Sequence, residues 1–188
     1  MSTRLDCTGF ILAGGKSTRM GRDKTLLDWN GRTLLDHMVD LISSAVDKVH
    51  VVGRDPLPDR LPGHGPLSGL ATALETSKTD ANLVVAVDLP LLSKGFLKYL
   101  RSQAELTNDL LITCKIGSDF PLCLVIRQAL LPEIHSRLAS HDLSIHGLVE
   151  NSPARVISES ELRDAGFNPS QFRNINTEDD YSTARRGT

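Results

Sequence analysis

Residues 9–24 read "GFILAGGKSTRMGRDK", an apolar run that breaks at Ala-Gly-Gly and is followed by a cluster of cations. The run from Cys7 to Leu12 is mostly apolar and short, which predicts a buried first strand. Residues 12–24 then hold three glycines and four basic side chains, Lys16, Arg19, Arg22 and Lys24, against the single acid Asp23. Small residues at Ala13, Gly14 and Gly15 let a ligand approach the backbone closely. Free backbone N–H groups in such a turn accept anions. A strand that feeds a glycine-rich, cationic loop is a candidate phosphate site, because ligands of open α/β sheets bind beyond the carboxyl ends of the strands.

Two familiar phosphate loops fail on spacing. A Walker A loop needs glycine five residues before the Gly-Lys pair. With Gly15-Lys16-Ser17 as its tail, that position is Phe10, and Gly9 lies one residue too early. The dinucleotide pattern G-x-G-x-x-G is absent, since Gly14 and Gly15 are adjacent and Gly21 is distant. The loop therefore suggests a triphosphate without being an ATPase loop.

The rest of the chain supplies the frame. Residues 33–45 place Leu34, Met38, Leu41, Ile42 and Ala45 on one helical face. Residues 48–52 read as a second strand. Residues 53–69 contain four prolines and four glycines and read as a long loop, with a helix from 68 to 77. "NLVVAVDLP" (82–90) reads as a buried parallel strand that reaches Asp88 and then Pro90. Ser93 is an N-cap for a helix with Phe96, Leu97 and Leu100 inward. Strands are expected at 109–114 and 120–126 around a Gly-Ser-Asp turn. Helices follow at 128–140 and 143–151, then a strand at 154–158 and a short helix closed by Gly166. Residues 172–176 are expected as an edge strand, and Thr177 as the cap of a last helix in which Asp180 suits the positive end. This alternation predicts an α/β fold, three-layered and Rossmann-like, with a mostly parallel central sheet.

Composition narrows the function classes. The 188 residues are 40% hydrophobic and 23% charged, and net charge is −2. One domain is expected at this length. The lack of a basic excess argues against a nucleic-acid partner. No apolar run of about 18 residues exists, so no membrane partner is expected. The three cysteines, Cys7, Cys114 and Cys123, are widely spaced within apolar runs and read as buried thiols of a cytoplasmic protein. The histidines form no metal motif, and His64 reads as a turn residue rather than an acid–base catalyst.

Two more segments fall at the same sheet edge. "GHGPLSGL" (63–70) is a glycine-bounded loop into a helix, able to bring its backbone against a flat base or a sugar. Asp88, at the end of its strand, is placed to ligate Mg²⁺, which takes one or two carboxylates together with phosphate oxygens.

"LAGGKSTRMGRDK" with "GRTLL" after it, "GPLSGL", "VDLP" and "FRNINTEDD" together resemble the MobA-like nucleotidyltransferases, the family of the molybdenum cofactor guanylyltransferases. The likeness runs in order over essentially the whole chain. It implies transfer of GMP from GTP to molybdenum-molybdopterin with release of pyrophosphate, dependent on Mg²⁺. It implies a nucleotide-binding half of about 1–106 and an acceptor-binding half of about 107–188. In that reading Leu12, Ala13, Gly14 and Gly15 face the guanine and ribose, with Asp59, Gly65, Pro66 and Leu67 at the same site. Lys24 contacts the phosphates, Arg19 steadies the leaving pyrophosphate, and Asp88 holds the metal. Asn174 and Asn176 lie near the metal and the acceptor phosphate, and residues 141–151 near the pterin. Other molybdenum cofactor assembly proteins are implied as further partners. Two alternatives stay open from the residues: a cytidylyltransferase acting on molybdopterin or on a sugar or polyol phosphate, and a non-catalytic nucleotide-binding regulator.

Overall fold

Strand β1 (Cys7–Leu12) is buried at every position and stands near the middle of the sheet, which is why its sequence is apolar without strict alternation. The computed structural model describes residues 5–14, 23–61 and 63–186. A two-residue hairpin, β2 (Asp28–Trp29) and β3 (Arg32–Thr33), precedes helix α1 (Leu34–Ser43). Thr33 caps that helix by accepting the Asp36 N–H. Strand β4 (Lys48–Val52), helix α2 (Gly65–Thr76), strand β5 (Ala81–Ala86) and helix α3 (Lys94–Glu105) follow. The second half holds β6 (Leu111–Cys114), β7 (Cys123–Arg127), α4 (Leu131–Ala139), α5 (Ile145–Glu150), β8 (Ala154–Ile157), α6 (Glu159–Asp164) and α7 (Glu178–Arg186).

The six long strands form one sheet in the order β4-β1-β5-β7-β6-β8. Strand β1 pairs in parallel with β4 from Thr8–Lys48 to Leu12–Val52, and with β5 from Cys7–Ala81 to Leu12–Ala86. Strand β7 alone runs against its neighbours β5 and β6, while β8 is parallel to β6. The mostly parallel sheet expected from the alternation is thus present, with one reversed strand. The reversal follows from the tight turn between β6 and β7, since a hairpin connection can join only antiparallel strands.

Side-chain alternation divides the core into two layers. Ile11, Leu83, Val85, Ile112 and Val125 pack under α1, α3, α6 and α7 through Leu34, Met38, Phe96, Leu100, Leu162 and Tyr181. Phe10, Leu12, Val84, Leu124 and Ile126 pack under α2, α4 and α5 through Leu70, Leu74, Ile134 and Leu148. Gly9 has a packing reason. A Cβ there would lie 2.6 Å from Ile42 Cγ2 and 2.7 Å from Val46 Cγ2, so α1 can approach β1 only across a glycine. The cysteines are buried, and Cys114 and Cys123 are free thiols. Burial pushes the Cys114 thiol up to about 12 and raises that of Cys123, so both are inert as nucleophiles.

Three expectations need correction. Helix α2 begins at Gly65, three residues before the expected 68, because Pro66 fits the first helical turn, where its missing N–H costs nothing. The strand expected from 120 begins at Cys123. Residues 172–176 are not an edge strand. Phe172 ends a 3₁₀ turn (Pro169–Phe172), and the chain then crosses the sheet's carboxyl edge as a strap held by the Ile175 N–H on the Asp88 carbonyl, 2.8 Å. Phe172 and Ile175 are both buried but three apart, a spacing no strand can place on one face.

Candidate active site

The chain leaves β1 toward α1 on one face of the sheet and leaves β4 toward α2 on the other. A crevice opens between two adjacent strands whose exits diverge in this way. Here it is lined by backbone. Ala13 N–H donates to the Val52 carbonyl at 2.9 Å, which holds the two strand ends together. Gly53 sits at φ +91°, and a Cβ on it would lie 2.4 Å from Gly14 Cα and N. Two glycine backbones therefore touch at the floor of the crevice, and no other residue fits at position 53.

A cleft of about 440 Å³ extends from this floor. Leu12, Ala13 and Gly14 line it from β1, Val52 and Gly53 from β4, Gly65, Pro66 and Gly69 from the start of α2, and Ala86, Val87 and Asp88 from the end of β5. Asp59 stands at the side next to Gly14. Its carboxylate accepts the Ser68 hydroxyl and, at 3.3 Å, the Leu61 N–H. Asp23, Lys24 and Thr25 line the wall across the cleft's mouth.

Three chain segments converge at Lys24. Its ammonium donates to Asn176 Oδ1 at 2.8 Å and stands 3.8 Å from Asp88 Oδ2. Asp88 lies two residues beyond β5 and is largely buried. Its second oxygen, Oδ1, is buried and has no hydrogen-bond partner among the described residues. Burial pushes the Asp88 pKa up against the pull of Lys24. A carboxylate in that condition favours a further cation, and Mg²⁺ suits one carboxylate with anionic ligand oxygens completing its shell. Among the described residues no group of three or more His, Cys, Asp or Glu gathers into an all-protein metal cage.

The support of Lys24 is local and specific. It opens a 3₁₀ turn (Lys24–Leu26) capped by Asp23, which accepts the Thr25 N–H at 3.0 Å. Asp23 also takes the Arg54 guanidinium from just beyond β4. Burial works to raise the Asp23 pKa, but the bonds from Arg54 and Thr25 outweigh it and hold the carboxyl below its ordinary range. Asn176 is fixed from the other side, where its N–H and that of Thr177 both donate to Asp180 at the start of α7. Helix α7 in turn grips the hairpin after Lys24, through the Tyr181 hydroxyl on the Asp28 carbonyl and Arg185 on the Asp28 carboxylate at 2.9 Å.

Of the residues singled out from sequence, Leu12, Ala13, Gly14, Lys24, Asp59, Gly65, Pro66 and Asp88 all line this cleft. Gly15 and Arg19 lie outside the described residues. Leu67 departs from expectation. Its side chain is fully buried in the core, so only its backbone, in the first turn of α2, can serve a ligand. Asn174 and Asn176 are separated: Asn176 meets Lys24, whereas Asn174 lines a second cleft of about 520 Å³. That cleft shares Pro66 and Leu122 with the first. His64 is the residue before α2, consistent with a turn role, and its ring lies 6.0 Å from that of His141.

Sequence reading missed Gly53, Asp23 and Arg54. A glycine directly after "KVHVV" was a visible signal for the first. Nothing in the sequence pairs Asp23 with Arg54, which are 31 residues apart.

Comparison with known proteins agrees with this fold. A molybdopterin-guanine dinucleotide biosynthesis protein A from Archaeoglobus fulgidus superposes with a TM-score of 0.82 at 22% identity, covering 95% of this chain and 97% of that one. The probable molybdenum cofactor guanylyltransferase of Bacillus mycoides is 25% identical over 96% of each chain. That of Carboxydothermus hydrogenoformans is 28% identical over 91% of each. The model of the MobA-like NTP transferase domain matches residues 9–156, from the middle of β1 into β8. The chain belongs to the MobA-like NTP transferase family and is a nucleotidyltransferase.

Proposed function

We propose that the protein transfers GMP from GTP to molybdenum-molybdopterin, forming the guanine dinucleotide and pyrophosphate, with Mg²⁺ as its metal. The observation that carries this reading is the buried Asp88 Oδ1, unpartnered among the described residues, beside Lys24 at the end of a glycine-lined cleft. The guanylyltransferase relatives support the choice of substrates.

In this reaction an oxygen of the acceptor's terminal phosphate attacks the α-phosphorus of GTP. A new P–O bond forms, the bond to the β-phosphate bridging oxygen breaks, and pyrophosphate leaves with that electron pair. The attacking phosphate is already anionic near neutral pH, so no general base is needed. The barrier lies in bringing anions together and holding them in line, which fixed cations and positioning lower. Lys24, locked by Asn176 and by the turn that Asp23 caps, is the fixed cation. Asp88 would hold Mg²⁺, which would supply further neutralisation of phosphate charge. In the same reading Arg19 meets the pyrophosphate and Gly15 the nucleotide. Asn174 and Asn176 face the acceptor phosphate.

Asp59 favours guanine. An ionised carboxylate only accepts hydrogen bonds, and guanine offers two adjacent donors at N1 and N2. Cytosine offers one donor at N4 beside an acceptor at N3, which a carboxylate repels. This is the argument against the cytidylyltransferase alternative. The nucleotide-binding half corresponds to about 1–106 and the acceptor half to about 107–188. Three buried cysteines fit a reducing cytoplasm, and no helix among the described residues is long and apolar enough to cross a membrane.

The test is anaerobic incubation of the pure protein with Mg²⁺, molybdenum-loaded molybdopterin and either GTP or CTP. Pyrophosphate release with GTP, at least tenfold faster than with CTP, is expected. A preference for CTP would transfer the reading to the cytidylyltransferase class, and release with neither would end it.

A further inference from the structure

The second cleft differs in kind from the first. It lies between the β6–β7 turn, α5 and the strap after Phe172, and is lined by Ile116, Phe120, Leu122, Ile145, His146 and Phe172 with the polar Asp119 and Asn174. Aromatic and aliphatic walls with a few polar groups, at about 520 Å³, are the make-up of a site for a flat organic ring. Phe120 is half-buried and held on two sides. The His146 ring meets it edge-on with centroids 4.8 Å apart, and the Lys115 ammonium stands 5.6 Å from its centroid. His146 Nε2 is itself 3.1 Å from Glu150, which anchors the imidazole on α5. Asp119 is exposed beside Phe120, in a turn closed by reciprocal backbone bonds with Ile116 at 2.9 and 3.0 Å. Those bonds leave its carboxylate free of the backbone, and among the described residues the carboxylate accepts only the neighbouring Ser118 hydroxyl, at 3.4 Å.

We propose that this cleft selects the acceptor by its 2-amino-4-oxopyrimidine edge. The Asp119 carboxylate accepts the ring N–H and the amino group, and Phe120 with His146 forms the wall against the bicyclic ring. The inference rests on the reading of the acceptor as a pterin, and deepens it by assigning the residues that recognise the ring. A pterin presents the same donor pair as guanine, so one device serves at both ends of the site: an acceptor-only carboxylate beside a surface for a flat ring. The shared walls at Pro66 and Leu122 make the two clefts contiguous, which leaves the phosphate arm of a pterin seated here directed toward Lys24 and Asp88. A sugar or polyol phosphate has neither the flat face nor the paired donors, and gains nothing from Asp119 or Phe120.

The probe is neopterin 3′-monophosphate, titrated by quenching of its own fluorescence, with ribose 5-phosphate as competitor. Binding to the wild-type protein is expected, with ribose 5-phosphate competing with an inhibition constant at least tenfold above the Kd of the pterin phosphate. Asp119→Asn and Phe120→Leu should each weaken pterin binding about tenfold while GTP affinity stays within twofold. Because Asp119 is exposed, its variant should keep the wild-type melting temperature, which separates recognition from folding. Absence of quenching with the wild-type protein, equal competition by ribose 5-phosphate, or unchanged affinity in both variants would each overturn the assignment. The reaction itself is read separately. If GTP and molybdopterin give normal pyrophosphate release and both variants keep the wild-type acceptor KM, only this inference fails. If pterin phosphate binds as described but no GTP is consumed, the guanylyltransfer reading fails and the ring site stands.

Discussion

The two clefts share a wall and are built on opposite plans. The first is made by the parallel strands β4, β1 and β5, whose ends turn away from one another and leave a crevice floored by backbone. Its shape comes from glycines, and the charged groups that line it among the described residues are Lys24 with Asp23, Asp59 and the buried Asp88. The second is made by the β6–β7 turn, α5 and a strap, and its walls are side chains gathered from four separate segments. A backbone-lined site suits a ligand shared by many enzymes, a nucleoside triphosphate. A side-chain-lined site can be altered residue by residue, and suits the acceptor that distinguishes one transferase from another.

The largest effects should come from the two groups that face the phosphates. Lys24→Ala and Asp88→Asn should each lower kcat by about a hundredfold or more, equivalent to roughly 3 kcal/mol. Both side chains border solvent, so melting temperatures should hardly move. Steady-state pyrophosphate release checks the first point, and thermal melts the second. If either variant turned over at near-normal rate, the first cleft would not be the reaction centre.

Gly53→Ala tests the backbone floor. The new Cβ would fall 2.4 Å from Gly14, in a φ region that alanine rarely adopts. Overpacking of this kind typically costs about 1–3 kcal/mol. GTP affinity by calorimetry should fall by roughly tenfold or more, while pterin-phosphate binding at the second cleft is retained. Loss of both would mean that the clefts are not separable.

Arg54→Ala should have a smaller effect. It removes the pair that holds Asp23, and so loosens the cap that Asp23 places on the turn carrying Lys24. Both partners are about a third exposed, so solvent screening limits the effect to about 1 kcal/mol, or fivefold in kcat/KM. Arg54→Lys should recover part of it. An unchanged kcat/KM would show that Lys24 is fixed by Asn176 alone.

The smallest effect lies far from both clefts, in the α6 cap. The hydrogen bond from Arg155, and those from Ser158, hold the Glu161 pKa down from 4.5 to about 2. A carboxyl lowered on folding contributes stability above its unfolded pKa, and loses that contribution as pH falls through its folded value. Glu161→Gln should therefore lower the melting temperature slightly at pH 7. The difference should fade between about pH 4.5 and 2. The side chain is 42% exposed, which limits the effect to about 1 kcal/mol. A gap that persisted at pH 2 would contradict the assignment of that bond.

The same contrast explains what could be read from the sequence. Strand β1 with its Ala-Gly-Gly break, the acid after β5, the Ser93 cap and the Thr177–Asp180 cap depend on neighbouring residues, and local pattern reveals them. The first cleft follows almost entirely, because parallel strands bring their ends together by topology. The strap at 172–176 was misread because Phe172 and Ile175 are buried by an irregular path, held to Asp88 by one bond. The start of α2 was misread because Gly-Pro signals a loop until Pro66 is placed in the first turn. Of the second cleft only Asn174 and the 141–151 segment were legible, and those through the family resemblance. Pro66, Ile116, His146 and Phe172 are far apart in the chain, and only the packing of the second half joins them.

The most direct test of the central claim is a crystal structure of the protein with GTP and Mg²⁺. The guanine should lie against Asp59 and the ends of β1 and β4, with the α-phosphate near Lys24 and the metal on Asp88 Oδ1. GTP bound elsewhere, or bound in this cleft with Asp88 Oδ1 still without a partner, would contradict the account.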